Sequence, residues 1–290
     1  MSAPGRPKRE SSLGEAVAKR QEGSSVSAAY EQIAFSLADG VARITLNRPD
    51  RLNSFTDVMR AEISRALDEA NASEGLRGVV ITGAGRGFCA GQDLADRQPL
   101  PEGQRRDLSE GLRVSYRPLM ERLHAMTVPV VAVVNGVAAG AGMSFALACD
   151  VVFAVESAKF VPAFNKIGLV PDMGGSWVLP RLVGQSRAMG IALFGETLTA
   201  RQAADWGLIW RCVPDADLAK TLDEVASTLA QAPTRALAAA KQELRVSADN
   251  TLMQQFDLEA DLQRDMGYTE DYLEGMKAFA EKRPPRFTGR

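Results

Sequence analysis

The sequence predicts an α/β fold in which short buried strands alternate with helices, followed by a wholly helical C-terminal part. Three observations carry this expectation: an Asp39-Gly40 dipeptide between two strand-like runs, near-continuous Val/Ile/Ala runs at 78–82, 130–134 and 151–155, and the loss of strand signals beyond about residue 230. With 290 residues, of which 46% are hydrophobic, the chain is long enough to bury a sizeable core.

Residues 1–29 are rich in Ser, Gly, Arg, Lys and Glu and poor in large apolar residues, which predicts a disordered extension. Glu10, Glu15 and Glu22 spoil the acid-poor pattern of a transit peptide, and no apolar core for secretion is present. From residue 30 the pattern reads as a strand at 32–38, a two-residue hairpin turn, and a strand at 41–46. A helix at 56–73 places Val58, Ile63, Ala66, Leu67 and Ala70 close to one face, and a buried strand at 77–82 follows. Four helical stretches, 218–229, 233–246, 251–265 and 269–280, carry apolar stripes that need a partner. The expected organisation is an extension at 1–29, an α/β core at 30–230 and a C-terminal helical region at 231–290. No internal repeat and no membrane-spanning run interrupts it.

Charge and cysteine usage narrow the function classes. A formal net charge of −2 without a long basic run offers nucleic acid no footprint. Cys89, Cys149 and Cys212 form an odd set without metal-type spacing, so the expectation is a reducing, cytoplasmic setting with no disulfide framework and no metal site. His124 is the only histidine and has no nucleophile signature nearby, so a Ser-His-Asp triad is not expected.

The chemistry concentrates in three glycine-rich segments, 83–94, 135–143 and 169–177. The first two each follow a strand-like run, and loops of this kind let backbone N–H groups approach a ligand closely. Tight turns that bind nothing are the alternative for either loop taken alone. The 83–94 loop lacks the spacing and the following helix of a dinucleotide fingerprint. In the third segment Asp172 stands among Val170, Met173 and Trp177, where desolvation would raise a carboxyl pKa toward the range useful for proton transfer. A helix N-cap is the competing role for Asp172.

Taken in order, Asn47 to Ser54 (NRPDRLNS), Phe88 to Leu94 (FCAGQDL), Asn135 to Met143 (NGVAAGAGM) and Gly275 to Arg283 (GMKAFAEKR) resemble the crotonase superfamily, the enoyl-CoA hydratases and isomerases. The resemblance runs from about residue 30 to residue 290. It implies a spiral core of ββα turns and a C-terminal helical region that builds a homotrimer, commonly doubled into a hexamer. It implies an acyl-CoA thioester as substrate, with coenzyme A arriving as part of it and no permanently bound cofactor. Two backbone amides, carried over to Gln92 and Ala141, would hold the enolate oxygen. CoA contacts would fall on Arg51 and Leu52, on Ala90, Gly91, Asp93 and Gly140, and on Lys282 reaching a neighbouring subunit.

The resemblance also discriminates between reactions. Hydratases carry two glutamates at the positions of Ser144 and Phe164, and neither residue here can replace a carboxylate. The isomerase branches place an acid at Asp172, and one base suffices to move a proton between two carbons of the same dienolate. Segments 158–160, 166–172, 206–210 and 286–289 are similar to the branch that isomerises an aromatic-ring epoxide attached to CoA, with Phe164, Trp177 and Phe145 as candidate ring walls. Hydration, another CoA-ester reaction such as hydrolysis, and silent CoA-ester binding are the competing outcomes.

Overall fold

The computed structural model describes residues 30–94, 101 and 103–290. The extension expected at 1–29 therefore lies outside the described residues. The chain opens with antiparallel strands β1 (Ile33–Ala38) and β2 (Val41–Leu46), joined at Asp39 and Gly40 with φ of 51° and 75°. Two consecutive left-handed residues match the twist of the flanking strands, which is why Asp-Gly marks this turn.

Helix α1 (Asp57–Ala72) starts at an N-cap in which the Thr56 side chain accepts the Met59 N–H. It buries Met59, Ile63, Ala66, Leu67 and Ala70, whereas Val58 points outward and is exposed. Three turns of a spiral follow, each giving one strand to a large sheet and one to a small sheet: β3 (Gly78–Gly83) with β4 (Gly87–Cys89), β5 (Val130–Val134) with β6 (Val137–Ala139), and β7 (Val151–Val155) with β8 (Lys159–Val161). Between the first two turns lie helix α2 (Leu108–Gly111), a π-helical turn Leu112–Tyr116 and helix α3 (Arg117–Ala125). Between the next two lies helix α4 (Ala141–Leu147).

The large sheet has the order β1-β2-β3-β5-β7-β10, closed by β10 (Arg211–Val213), and its pairs are parallel except β1 with β2. The small sheet runs β4-β6-β8-β9, with β9 (Leu198–Thr199) antiparallel to β8. Successive side chains of the large sheet face opposite sides. Val79, Ile81, Ala132, Val134 and Ala154 join the main core, while Val80, Val131 and Val133 pack with Val225 and Leu229 of helix α7 (Leu218–Gln231). Both faces are covered, which explains the continuous apolar runs.

Helix α5 (Gly175–Phe194) is broken at Gly184, and α6 (Ala200–Asp205) precedes β10. The chain ends with α8 (Thr234–Val246), α9 (Leu252–Gly267) and α10 (Glu270–Glu281). Their starts follow the sequence: Pro233, Thr251 and Thr269 occupy the N-cap positions, with a capping box between Thr251 and Gln254. Asp150 ties α8 to the core, with Lys241 Nζ at 2.7 Å and Arg245 Nη2 at 2.8 Å from its carboxylate. Among the described residues no helix is long and apolar enough to cross a membrane.

Candidate active site

The site is assembled where the large-sheet strands hand over to the small sheet. Two buried asparagines shape the first glycine loop. Asn53 donates to the carbonyls of Ala84 at 2.9 Å and Gly87 at 2.7 Å, and Asn135 donates to Gly85 at 2.9 Å and Gly87 at 3.1 Å while accepting the Gly83 N–H at 3.0 Å. The segment at 47–54 is thus locked to the loop, and the Ala90 N–H adds a 2.9 Å bond to the Leu52 carbonyl. Leu52 itself has φ of 48°, and Arg51 beside it is exposed.

Downstream, the Phe55 backbone clamps the next three residues. Phe55 N–H donates to Gly91 O at 2.7 Å and Phe55 O accepts the Asp93 N–H at 2.9 Å. In a trans peptide the C=O and the following N–H point opposite ways, so the Gln92 N–H faces away from Phe55. Gly91, at φ of 90°, is needed here: a Cβ on it would lie 2.8 Å from Ala139 O and 3.5 Å from Ala141 N. That distance also brings the first two glycine segments together. Ala141 opens α4 after Gly140 (φ 50°, ψ −122°), and the first N–H groups of a helix have no intrahelical partner. Among the described residues neither the Gln92 nor the Ala141 amide donates to a protein acceptor.

The third segment closes the site from the other side. The N-cap of α5 is Gly174, so Asp172 is not the capping residue; its carbonyl accepts the Gly175 N–H at 2.8 Å. Asp172 is half-buried, with its Oδ1 atom shielded from solvent. A Cβ on Gly175 would lie 2.6 Å from Ser144 Oγ, so the Asp172 loop leans on α4 one turn after Ala141. A narrow apolar cavity of about 10 Å³ lies between them, walled by Met143, Ser144, Leu147, Pro162, Phe164 and Pro171. The Phe164 ring sits over Gly140, with Cζ 3.8 Å from the place of a Cβ there.

The remaining candidates separate. Phe145 is fully buried and meets Phe55 edge to face at 5.5 Å, a core residue. Trp177 is 53% exposed, with the Arg181 guanidinium 3.9 Å above its ring. Lys282 caps α10 with φ of 53° and is exposed, on a helix that packs against α9 rather than against these loops. Asp93 is buried, and its carboxylate is 2.9 Å from Arg48 Nη1 and accepts Ser54 Oγ at 3.1 Å. Burial pushes the Cys89 thiol up to about 12 and so leaves it inert. Among the described residues no three His, Cys, Asp or Glu side chains gather as a metal ion would require.

Sequence patterns alone did not single out Arg48, Arg60 or Tyr116. Arg60 had a signal: it shares the α1 stripe with Met59, Ile63 and Leu67, and it is 5% exposed. A charge on an apolar stripe has to find partners. The Gln92 side chain is one of them, accepting from Arg60 Nη1 at 2.9 Å.

Known proteins place this architecture. Residues 36–290 match the family model described as enoyl-CoA hydratase/isomerase. The 1,2-epoxyphenylacetyl-CoA isomerase of Escherichia coli (strain K12) is 51% identical over 87% of this chain and 96% of its own length. A probable enoyl-CoA hydratase of Rhodobacter capsulatus is 47% identical over 90% of this chain and 99% of its own. Among solved structures, a putative enoyl-CoA hydratase/isomerase from Mycobacterium abscessus superimposes with a TM-score of 0.84 at 38% identity, covering 89% of this chain and 100% of that one. The ββα spiral, the site at the strand ends and these matches agree that the chain belongs to the enoyl-CoA hydratase/isomerase family of the crotonase superfamily.

Proposed function

We propose that this protein is an acyl-CoA isomerase in which the amides of Gln92 and Ala141 hold the thioester oxygen and Asp172 moves a proton between two carbons of the resulting enolate. The observation that carries this reading is the meeting of three parts: two outward-facing amides on adjoining loops, and one half-buried carboxylate on the loop that leans on Ser144. Preorganised N–H donors stabilise the oxyanion as it forms, and each contributes about 10²–10³ in rate. With a 3-enoyl-CoA, Asp172 takes a proton from the carbon beside the thioester and returns it at the far end of the dienolate, giving the conjugated 2-enoyl-CoA.

The narrower substrate is an aromatic-ring epoxide carried on acetyl-CoA. There the proton leaves the same carbon, the bond shared by ring and epoxide opens, and Asp172 returns the proton to a ring carbon, giving a seven-membered oxepin with an exocyclic double bond and no change in mass. The apolar lining beside Phe164 and the similarity to the Escherichia coli isomerase support this choice. Ser144 and Phe164 leave water without the second carboxylate that hydration needs.

The working unit in this reading is a cytoplasmic homotrimer or dimer of trimers. α9 buries none of its residues, and Leu252, Met253, Phe256, Leu273, Met276 and Phe279 on α9 and α10 are all at least half exposed, more apolar surface than helices leave uncovered. A neighbouring subunit would bring Lys282 to the CoA. Light scattering gives the oligomer mass directly.

The decisive test incubates a 3-enoyl-CoA in D₂O with the wild type and with Asp172→Asn, followed by ultraviolet absorption and mass spectrometry. Conjugation without added water in the wild type alone supports the reading. Equal conversion by both proteins, addition of water, or release of free CoA overturns it.

A further inference from the structure

The Gln92 side chain has more hydrogen bonds than its assigned task requires. Its Oε1 accepts from Arg60 Nη1 at 2.9 Å and from the Tyr116 hydroxyl, while its Nε2 donates to the carbonyls of Phe55 and Asp93, both at 3.2 Å. All its strong hydrogen-bonding positions point into the protein. A residue that only had to offer a backbone N–H would need no such anchoring.

The partner that holds it is costly. Arg60 is 5% exposed, and a buried guanidinium persists only where its donors are used. Here Nε donates to Ser115 Oγ at 2.7 Å, Nη1 also reaches the Tyr116 hydroxyl at 3.1 Å, and Nη2 pairs with Asp57. Its Cζ lies 4.2 Å from the centroid of the Tyr116 ring, which packs edge to face on Phe55 at 6.1 Å. Phe55 is the same residue whose backbone clamps Gly91 and Asp93. The backbone clamp and the side-chain clamp thus act on Gln92 from one scaffold, and both fix the direction of its N–H.

Ser115 and Tyr116 stand in the π-helical turn Leu112–Tyr116. Widened turns of this kind recur at functional sites, where they re-aim side chains. This one places a hydroxyl from each of two adjacent residues on the Arg60 fork.

We propose that Arg60 and Tyr116 are positioning residues for the reaction. They lock the Gln92 side chain so that its N–H stays aimed at the thioester oxygen, and they link that aim to the turn at 112–116. The proposal rests on the reading of Gln92 as an oxyanion donor. Its energetic content is orientation: donors must be held within about half an ångström of the productive geometry, and a misplacement of about 1 Å costs about 10² in rate.

The test compares wild type with Tyr116→Phe, Arg60→Met and Arg60→Lys by isomerase kinetics and by the near-ultraviolet absorption of bound acetoacetyl-CoA, whose enolate form reports the oxyanion site apart from turnover. Tyr116→Phe is expected to lose about 10-fold and Arg60→Met about 10²-fold in kcat, with KM held within about twofold and a matching fall in the enolate fraction. Arg60→Lys should recover part of both, since it restores the charge but not the fork. Variants that bind acetoacetyl-CoA with wild-type enolate absorption, or whose losses appear in KM alone, overturn the proposal. If Arg60→Met does not fold, Tyr116→Phe, which removes one hydroxyl, decides by the same readouts. Enolate absorption in a wild type that moves no double bond would sink the isomerase reading and leave the clamp standing.

Discussion

Arg48 Nη1 lies 2.9 Å from Asp93 Oδ2, and this pair ties the segment at 47–54 to the loop that carries Gln92. Arg48 also donates to the Ser54 carbonyl at 2.7 Å, so its guanidinium spans the junction. Asp93, read from the sequence as a substrate contact, is committed to this structural pair and is 8% exposed.

The first prediction follows from that burial. Removing Arg48 leaves the buried Asp93 carboxylate with the Ser54 hydroxyl but without its counter-charge, a cost on the order of 1–3 kcal/mol. Arg48→Met should therefore destabilise the protein more than Arg48→Met combined with Asp93→Asn. Denaturant unfolding of the two single variants and the double variant measures the coupling; simple additivity would mean that the pair contributes nothing of its own.

Ala141→Pro replaces one amide hydrogen with a ring methylene. Proline is tolerated at the first position of a helix, because that N–H has no partner within the helix anyway. If the amide holds the oxyanion, kcat falls by at least about 10²–10³-fold, because the donor is gone and a methylene stands where the thioester oxygen would accept. Unchanged kcat in a folded variant would remove Ala141 from the mechanism.

Phe164 limits the cavity beside Ser144 and sits over Gly140. Shortening it to Leu should lower kcat/KM for a ring-bearing ester by about tenfold, the scale of a lost aromatic packing contact, and should spare a linear 3-enoyl-CoA. Parallel loss on both substrates would show that Phe164 shapes the backbone at Gly140 instead of the acyl pocket.

Much of this was legible in the sequence because the signals were local. Asp39-Gly40 announced its turn, the helical stretch read at 251–265 is α9, and the doubly covered strands read as unbroken apolar runs. The small sheet was not legible. β4, β6 and β8 have three residues each, too few to show a period of two, and two of them lie inside segments that read as glycine loops. Asp172 was identifiable as the unusual carboxylate, but its rival role as an N-cap fell only when Gly174 was found at that position. The Arg60 clamp joins residues separated by 32 to 56 positions in the chain, and no local pattern encodes such a meeting.

The C-terminal tail supplies a pH-dependent prediction. Glu274 accepts Arg283 Nη1 at 2.6 Å and Nη2 at 2.9 Å, together with the Arg286 N–H at 2.7 Å. These bonds, led by those from Arg283, hold its carboxyl at about 2 against an ordinary 4.5. Because the folded pKa is depressed, a chain with the tail released binds the proton more readily. The contribution is complete above about pH 4.5 and is lost as pH falls through about 2. Hydrogen exchange should show the Arg286 amide protected from about pH 6 down to about pH 3 in the wild type, and unprotected throughout in Glu274→Gln. Asp271 offers an internal reference: it holds Thr288 N–H at 2.6 Å and Gly289 N–H at 2.8 Å, two residues further on. If Glu274→Gln leaves Arg286 as protected as in the wild type, the tail is anchored by Asp271 and by Arg77, which donates to the Phe287 carbonyl at 3.2 Å, without help from the Glu274–Arg283 pair.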